Sequence, residues 1–158
     1  MITVDEWVES QEFQIRLDAQ GKIIDYLDNN VRRENKPEER IRQKTARILV
    51  EEFKYSKEQI ALERSIQIGR DETKRADIVI YANAEAKASN RQGEIHLIAE
   101  IKAPNVKEPD NQIISYLSPT SAQGGFWTNG ERIISTCTVE KMTVDWIFPH
   151  ILRYYYKS

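Results

Sequence analysis

Three ionisable residues, Asp77, Glu100 and Lys102, interrupt two short apolar runs of the sequence. The runs cover residues 76–81 and 94–102 and are rich in β-branched residues, which predicts two strands. If these strands pair as a hairpin, Asp77 lies close to Glu100 across them. Side chains alternate along a strand, so Glu100 and Lys102 share one face. The pattern therefore places one acid opposite a second acid and an ammonium group.

Two carboxylates and an ammonium group within apolar strands have two interpretations. A buried charge is costly unless it is paired or bound to a metal, so inward-facing acids indicate an ion pair or a metal site. The alternative is that the three residues lie on the solvent-exposed face of a half-exposed hairpin. Short motifs of this kind also occur by chance. The order of the surrounding elements helps to distinguish the two.

Length and composition are those of a soluble globular protein with one domain. The chain has 158 residues, of which 40% are hydrophobic and 30% are charged, and this suffices for one core. We find no apolar run that could span a bilayer and no secretory signal, so we expect a cytoplasmic protein without a membrane partner. The single cysteine, Cys137, excludes an internal disulfide framework and a cysteine-rich zinc site.

The charge balance excludes a strongly basic nucleic-acid binder. The formal net charge is -2, whereas a stand-alone DNA-binding domain usually has a basic face. Any contact with nucleic acid must therefore be local, metal-assisted or supported by other domains. The sequence also lacks the glycine-rich loop with Lys and Ser or Thr that cradles ATP phosphates.

The first 36 residues are predicted to form a small opening unit. Alternating polar and apolar residues flank a turn at 19–21, which favours a hairpin. Residues 28–36 are polar and charged, which predicts a linker with Arg32 and Arg33 in solvent.

A helix is predicted from Pro37 to about Tyr55. Proline and two glutamates suit its first turn, and apolar residues recur at helical spacing. Glu38 is predicted near the inward face, and Glu39 and Arg42 on the flank. Capping and surface charge are sufficient roles for these three residues.

Three strands are predicted after this helix, over residues 59–69, 76–81 and 94–102. A charged turn at 70–75 and a polar loop at 83–93 connect them. The apolar residues of the first strand are expected to share one face: Ile60, Leu62, Ile66 and Ile68.

A short helix is predicted over residues 111–117, with Asp110 as its N-cap. Gln112 and Tyr116 are four residues apart and therefore lie on one face of it.

The last part of the chain is predicted to contain a hairpin and a closing segment. Asn129-Gly130 is a strong hairpin signal, in which both residues take positive φ. The aromatic segment 143–158 is predicted to cap the core, and a base-stacking tail is the alternative.

This order of elements resembles the PD-(D/E)xK nuclease superfamily, and more closely the N-terminal nuclease domain of type I restriction enzyme R (motor) subunits. Five motifs in the expected order, each on its expected element, are more specific than any one of them alone. The stretches that carry the resemblance are Pro37–Arg42, Arg75–Tyr81, Ile98–Pro104, Gln112–Tyr116 and Thr128–Gly130.

The resemblance implies an α/β (α+β) fold with a restriction-endonuclease-like core, in which helices flank a central mixed sheet. It implies a single nuclease-like domain over residues 1–158 that belongs to a longer chain. Within it, residues 1–36 are an N-terminal extension, residues 37–136 the catalytic core and residues 137–158 a capping segment.

The resemblance also assigns roles to residues. Asp77, Glu100 and Lys102 correspond to the catalytic residues of the family. Ala76 stands where many members have a proline, which sets backbone geometry and contributes no chemistry.

Supporting roles are implied for four further residues. The Gln-x-x-x-Tyr motif of this branch corresponds to Gln112 and Tyr116. The acidic residue of the family's first helix corresponds to Glu38 or Glu39, and the sequence leaves that choice open.

The implied activity is metal-dependent hydrolysis of DNA phosphodiester bonds. Asp77, Glu100 and the backbone carbonyl of Ile101 are the implied ligands of Mg²⁺, for which Mn²⁺ can substitute. The metal would activate its bound water and neutralise charge on the phosphate. Lys102 would position or activate that water; its protonation state stays open, because metal and carboxylates act on it in opposite directions.

The implied partners are double-stranded DNA, translocase domains of the same polypeptide, and the modification and specificity subunits of a restriction complex. ATP would act only through a motor domain that this chain does not contain. The domain is therefore expected to contact phosphates, with little base readout. The alternatives are a non-catalytic nucleic-acid-binding or docking domain of a larger DNA-processing complex, and an unrelated α/β interaction domain.

Overall fold

The described part of the chain, residues 15–109 and 111–137 of a computed structural model, combines short helices with a central sheet. The helices are α1 (Pro37–Glu51), α2 (Ala84–Ala88) and α3 (Gln112–Leu117), and 3-10 turns cover Lys57–Gln59 and Gln92–Glu94. The strands are β1 (Ile23–Ile24), β2 (Arg32–Arg33), β3 (Ile60–Gln67), β4 (Thr73–Tyr81), β5 (Ile95–Ile101), β6 (Gly124–Thr128) and β7 (Ile133–Cys137). None of the helices described is long and apolar enough to cross a membrane.

Strands β3 to β7 form one mixed sheet in sequential order. Neighbouring strands are antiparallel, except that β5 and β6 run parallel. A parallel pair needs a crossover connection, and α3 lies in that connection. The predicted order of a helix, three strands, a helix and two strands is confirmed apart from the additional short helix α2, and the α+β, nuclease-like fold class is confirmed.

Helices α1 and α3 pack against opposite faces of this sheet. Ile78 of β4 belongs to the buried cluster that contains Leu49 of α1, whereas the next residue, Val79, belongs to the cluster that contains Ile113 of α3. Strands β4 and β5 are therefore buried on both faces, which explains why their sequences read as nearly continuous apolar runs.

The alternation of side chains along β3 changes at Glu63, which has a φ of 53°. Before it, Leu62 packs in the α1-side cluster, and after it, Ile66 packs in the α3-side cluster. The prediction that the apolar residues of this strand share one face is wrong, because a residue in the left-handed region interrupts the pleat. The register of β3 with β4 places Glu63 beside Asp77.

Two predicted connections contain regular structure instead. The predicted loop at 83–93 contains α2, an alanine-rich helix that begins where Asn83 accepts a hydrogen bond from the N–H of Ala86 at 2.8 Å. The predicted turn at 70–75 is shorter, because β4 already begins at Thr73.

Two helix boundaries also differ from the prediction. Helix α1 ends at Glu51 rather than near Tyr55, and Lys54 shortly after it has a φ of 63°. Helix α3 begins at Gln112, and the predicted cap, Asp110, lies outside the described residues.

The connection between β6 and β7 is a four-residue turn. Gly130 has a φ of 89°, whereas Asn129 is not among the residues with positive φ. The Asn129 side chain instead accepts hydrogen bonds from the N–H groups of Glu131 and Arg132, at 3.1 and 2.9 Å. The predicted hairpin is confirmed, but positive φ at both residues is wrong because the side chain closes an Asx turn.

The described part of the N-terminal unit, from residue 15 onwards, contains more strand than predicted. The turn at 19–21 is present, and β1 pairs with β2 inside the predicted linker 28–36. The prediction that Arg33 is solvated is wrong, since only 16% of its side chain is exposed, whereas Arg32 remains 39% exposed. The predictions for segment 143–158 lie outside the described residues.

Candidate active site

The candidate site lies where strands β4 and β5 separate. Their ladder ends at the pair of Ile78 with Ala99, although β4 and β5 both continue beyond it. One step further, the same antiparallel register places Asp77 opposite Glu100. The opening therefore begins at the two acids that the sequence predicted to face each other.

Both carboxylate oxygens of Asp77 accept hydrogen bonds from the protein. Oδ1 accepts one from Nη2 of Arg42 at 2.6 Å, and Oδ2 accepts one from the backbone N–H of Ile101 at 2.8 Å. These two donors fix the orientation of the carboxylate. Each oxygen has a second lone pair, so a further ligand can still share it.

Arg42 lies within a group of buried and partly buried charges that we name the arginine cluster. Its side chain is 6% exposed. Besides Asp77, its guanidinium contacts Glu39 and lies 3.4 Å from Glu63. The exposed Glu38 lies 3.6 Å away. The members of the cluster are Asp25, Arg33, Glu39, Arg42, Glu63 and Asp77.

Glu39, rather than Glu38, is the buried acid of α1. Glu39 is 8% exposed, whereas the Glu38 side chain is 43% exposed. Burial raises the pKa of Glu39 above its ordinary value, although Gln43 donates to it at 2.8 Å. The predicted placement of Glu38 inward and of Glu39 and Arg42 on the flank is wrong, because the buried stripe of α1 runs through positions 39, 42, 43, 46 and 49.

Arg33 connects the β1–β2 unit to the same cluster. Its guanidinium contacts Asp25, lies 2.7 Å from Glu63 and is 3.6 Å from Glu39. Asp25 also accepts a hydrogen bond from the backbone N–H of Leu27 at 2.8 Å. The N-terminal strand pair thus contributes buried charges next to α1.

A second group, which we name the lysine relay, consists of Glu100, Lys102, Gln112 and Tyr116. Nζ of Lys102 lies 2.8 Å from Glu100 Oε1 and 3.3 Å from Gln112 Oε1. The amide of Gln112 donates to the Tyr116 hydroxyl at 2.7 Å, and this hydroxyl donates to the backbone carbonyl of Arg75 at 2.9 Å. The relay therefore ties α3 to β5 and to β4 on the other side of the opening.

Tyr116 is a neutral donor within this relay. Its side chain is fully buried. Burial, helped by the charges of Glu100 and Asp77, raises the pKa of Tyr116 to about 12. The hydroxyl therefore keeps its proton at neutral pH and serves as a hydrogen-bond donor.

The residues at the opening are compatible with a magnesium ion. Among the residues described, no group of three or more His, Cys, Asp and Glu side chains is placed to hold a metal. Mg²⁺, however, is commonly held by one or two carboxylates together with water and substrate oxygens. Asp77 and Glu100 match that requirement in number and in ligand type. The backbone carbonyl of Ile101 remains a predicted ligand.

An open groove borders the lysine relay. It has a volume of about 630 Å³ and its lining residues are basic or neutral: Lys74, Arg75, Asn111, Gln112 and Ser115. The Arg75 side chain is 69% exposed. Basic side chains beside the opening suit a polyanionic backbone.

Sequence reasoning missed four members of the arginine cluster. One signal was available for Arg42, because Arg42 and Gln43 continue the apolar stripe of α1 at helical spacing. Asp25, Arg33 and Glu63 carry no such local signal, since they meet only through pairing of β1 with β2 and packing of both against α1 and β3.

The sheet, its flanking helices and the acids at the strand opening define an α+β domain of the nuclease-like class. A family model described as type I restriction enzyme R protein N terminus matches residues 37–147. This is more than half of the chain, so the chain belongs to that family, and the predicted resemblance is confirmed. No curated protein and no solved structure matches the chain.

Proposed function

We propose that this chain is a Mg²⁺-dependent DNA endonuclease domain of a type I restriction enzyme R subunit. The observation that carries the proposal is the convergence of Asp77, Glu100 and Lys102 where β4 and β5 separate. Membership in the family supports a role in a restriction complex.

Asp77 and Glu100 are the residues that would hold Mg²⁺, which when bound would supply an activated water and neutralise charge on the phosphate. Lys102, held between Glu100 and Gln112, would orient the attacking water or a phosphate oxygen. Gln112 and Tyr116 would fix the position of Lys102, because their hydrogen bonds end on a backbone carbonyl.

The groove beside the relay is the proposed path of double-stranded DNA. Lys74 and Arg75 line it and would meet phosphates without reading bases. Sequence recognition would then come from modification and specificity subunits, and transport of DNA from ATP-driven translocase domains. A restriction function of this kind would be performed in the cytoplasm.

A non-catalytic DNA-binding or docking domain is the second candidate function. The observation that favours it is the double hydrogen bonding of Asp77, whose oxygens both have protein donors. A purely structural ion pair would have the same geometry.

Nicking of supercoiled plasmid by this chain, with and without Mg²⁺ or Mn²⁺, tests the proposal. The variants are Asp77→Asn and Lys102→Met, and Asp71→Asn is the control, because Asp71 is an exposed acid of the β3–β4 turn. We expect metal-dependent nicking that falls at least about 100-fold in both site variants and is unchanged in the control. If the wild type binds DNA but neither it nor any variant nicks the plasmid in the presence of metal, the docking function is favoured.

A further inference from the structure

Arg42 occupies a position next to Asp77 that a bound cation could take. Its guanidinium lies 2.6 Å from Asp77 Oδ1 and is 6% exposed. Its four acidic neighbours are Glu38, Glu39, Glu63 and Asp77. A buried carboxylate needs such a counter-charge, and Arg42 provides it without a metal.

The charges around Arg42 do not balance. Five carboxylates, those of Asp25, Glu38, Glu39, Glu63 and Asp77, are paired with three guanidinium groups, those of Arg33, Arg42 and Arg75. Carboxylates therefore outnumber guanidinium groups in these described ion pairs, although Arg32 and Lys36 line the same cavity, and carboxylates in such a group favour a nearby cation.

Arg42 is also incompletely bonded where it lies. Its Nε is buried and has no hydrogen-bond partner in the described ranges. A buried donor without a partner costs free energy, and the charge-assisted hydrogen bonds from Arg42 to Glu39 and Asp77 offset that cost.

We infer that Arg42 is a built-in counter-cation that competes with a divalent metal ion for Asp77. This inference rests on the proposed metal site. Without metal, Arg42 neutralises Asp77 and holds its carboxylate in place. A divalent ion that binds the same carboxylate would be repelled by the guanidinium and would have to displace it from Asp77. Arg42 is thus a positioning residue that weakens metal binding.

Calorimetric titration with Mn²⁺ alone measures this competition. We expect Arg42→Gln to bind Mn²⁺ about tenfold more tightly than the wild type, because a neighbouring positive charge is removed. Arg33→Gln is the matched control: it removes a charge from the same cluster, but Arg33 pairs with Asp25, Glu39 and Glu63 and not with Asp77. The affinity of Arg33→Gln for Mn²⁺ should differ from that of the wild type by less than about threefold.

A second pair of variants, in which the double substitution keeps the net charge of the wild type, covers the case in which Arg42→Gln fails to fold. Glu39→Gln is compared with Glu39→Gln/Arg42→Gln, which loses one charge of each sign. The double variant should bind Mn²⁺ about tenfold more tightly than the single one. Thermal unfolding provides a second readout, since a ligand that binds the folded state raises Tm, and raises it more the more tightly it binds at a given concentration. The rise in Tm with Mn²⁺ should be larger in the double variant.

The outcomes separate this inference from the proposed function. Equal affinity with and without Arg42, together with loss of binding in Asp77→Asn, overturns the role of Arg42 and leaves the metal site standing. Weaker binding without Arg42 also overturns it, since Arg42 would then only preorganise Asp77. No Mn²⁺ binding in any variant overturns the metal site and this inference with it.

Discussion

The two sides of the strand opening hold their acids by different physical means. On the α1 side, Asp77 is held by the backbone N–H of Ile101 and by the buried Arg42, which also forms ion pairs with Glu39 and Glu63. On the α3 side, Glu100 faces one lysine, Lys102, whose position depends on a chain of hydrogen bonds. Charge pairs in a buried site are strong but depend on every partner, whereas the neutral hydrogen bonds of Gln112 and Tyr116 behind Lys102 can lose one link at lower cost.

Removal of Arg42 is the most severe test of this difference between the two sides. Arg42→Met should lower the free energy of unfolding by about 3 kcal/mol or more, because it leaves the partly buried Asp77 without a counter-charge and removes one of the two arginines beside the buried Glu39. Chemical denaturation measures the change. Arg40→Met is the control on the same helix: Arg40 is exposed and bonds Asn35, so about 0.5 kcal/mol or less is expected. A loss below about 1 kcal/mol for Arg42→Met would show that the cluster is not a structural necessity.

Removal of the Tyr116 hydroxyl tests the relay. Tyr116→Phe should lower the free energy of unfolding by about 1–2 kcal/mol, because the Arg75 carbonyl and the Gln112 amide each lose a partner. Equilibrium denaturation again gives the value. A loss as large as that of Arg42→Met would contradict the contrast between the two sides.

The pH dependence of the contribution of Tyr116 to the free energy of unfolding is a second test of the relay. The pKa of Tyr116 is about 12 in the folded protein, against an ordinary value of 10.0. Its folded pKa is raised, so the stability it contributes is fully present below pH 10.0 and is lost as the pH rises towards about 12. The difference in unfolding free energy between wild type and Tyr116→Phe should therefore narrow across that window. A constant difference would contradict burial of a neutral phenol.

The smallest effect on stability is expected at the groove. Charge reversal of Lys74 and Arg75 should change the free energy of unfolding by about 0.5 kcal/mol or less. It should weaken DNA binding and reduce the slope of log affinity against log salt by about 0.9 for each phosphate that is no longer neutralised. Arg91→Glu is the control, because Arg91 lies near the opposite end of β5. An equal drop in DNA affinity in Arg91→Glu would argue against this path.

The relay residues were more predictable from the sequence than the arginine cluster was. Glu100 and Lys102 share a strand face by simple alternation, and Gln112 and Tyr116 share a helix face by spacing, so local periodicity predicted each shared face. The resemblance to the family then selected these four as site residues. Their roles remain predictions, as does that of Asp77. The structure adds the contacts that link them.

The arginine cluster could not be predicted because its members are distant in sequence. Asp77 meets Arg42 across 35 positions, and Arg33 meets Glu63 across 30. Glu63 also breaks the pleat of β3 with a positive φ, which glutamate rarely adopts. Periodicity within one element carries no information about such contacts.

The central claim is that Asp77 and Glu100 bind a divalent metal at the opening of β4 and β5. Anomalous diffraction from crystals of this chain grown with millimolar Mn²⁺ and a short DNA duplex tests it most directly. We expect an anomalous peak at ligand distance from both carboxylates, with the Arg42 guanidinium displaced from Asp77. A map without a peak there, with Arg42 still bonded to Asp77, would contradict the claim and favour the docking function.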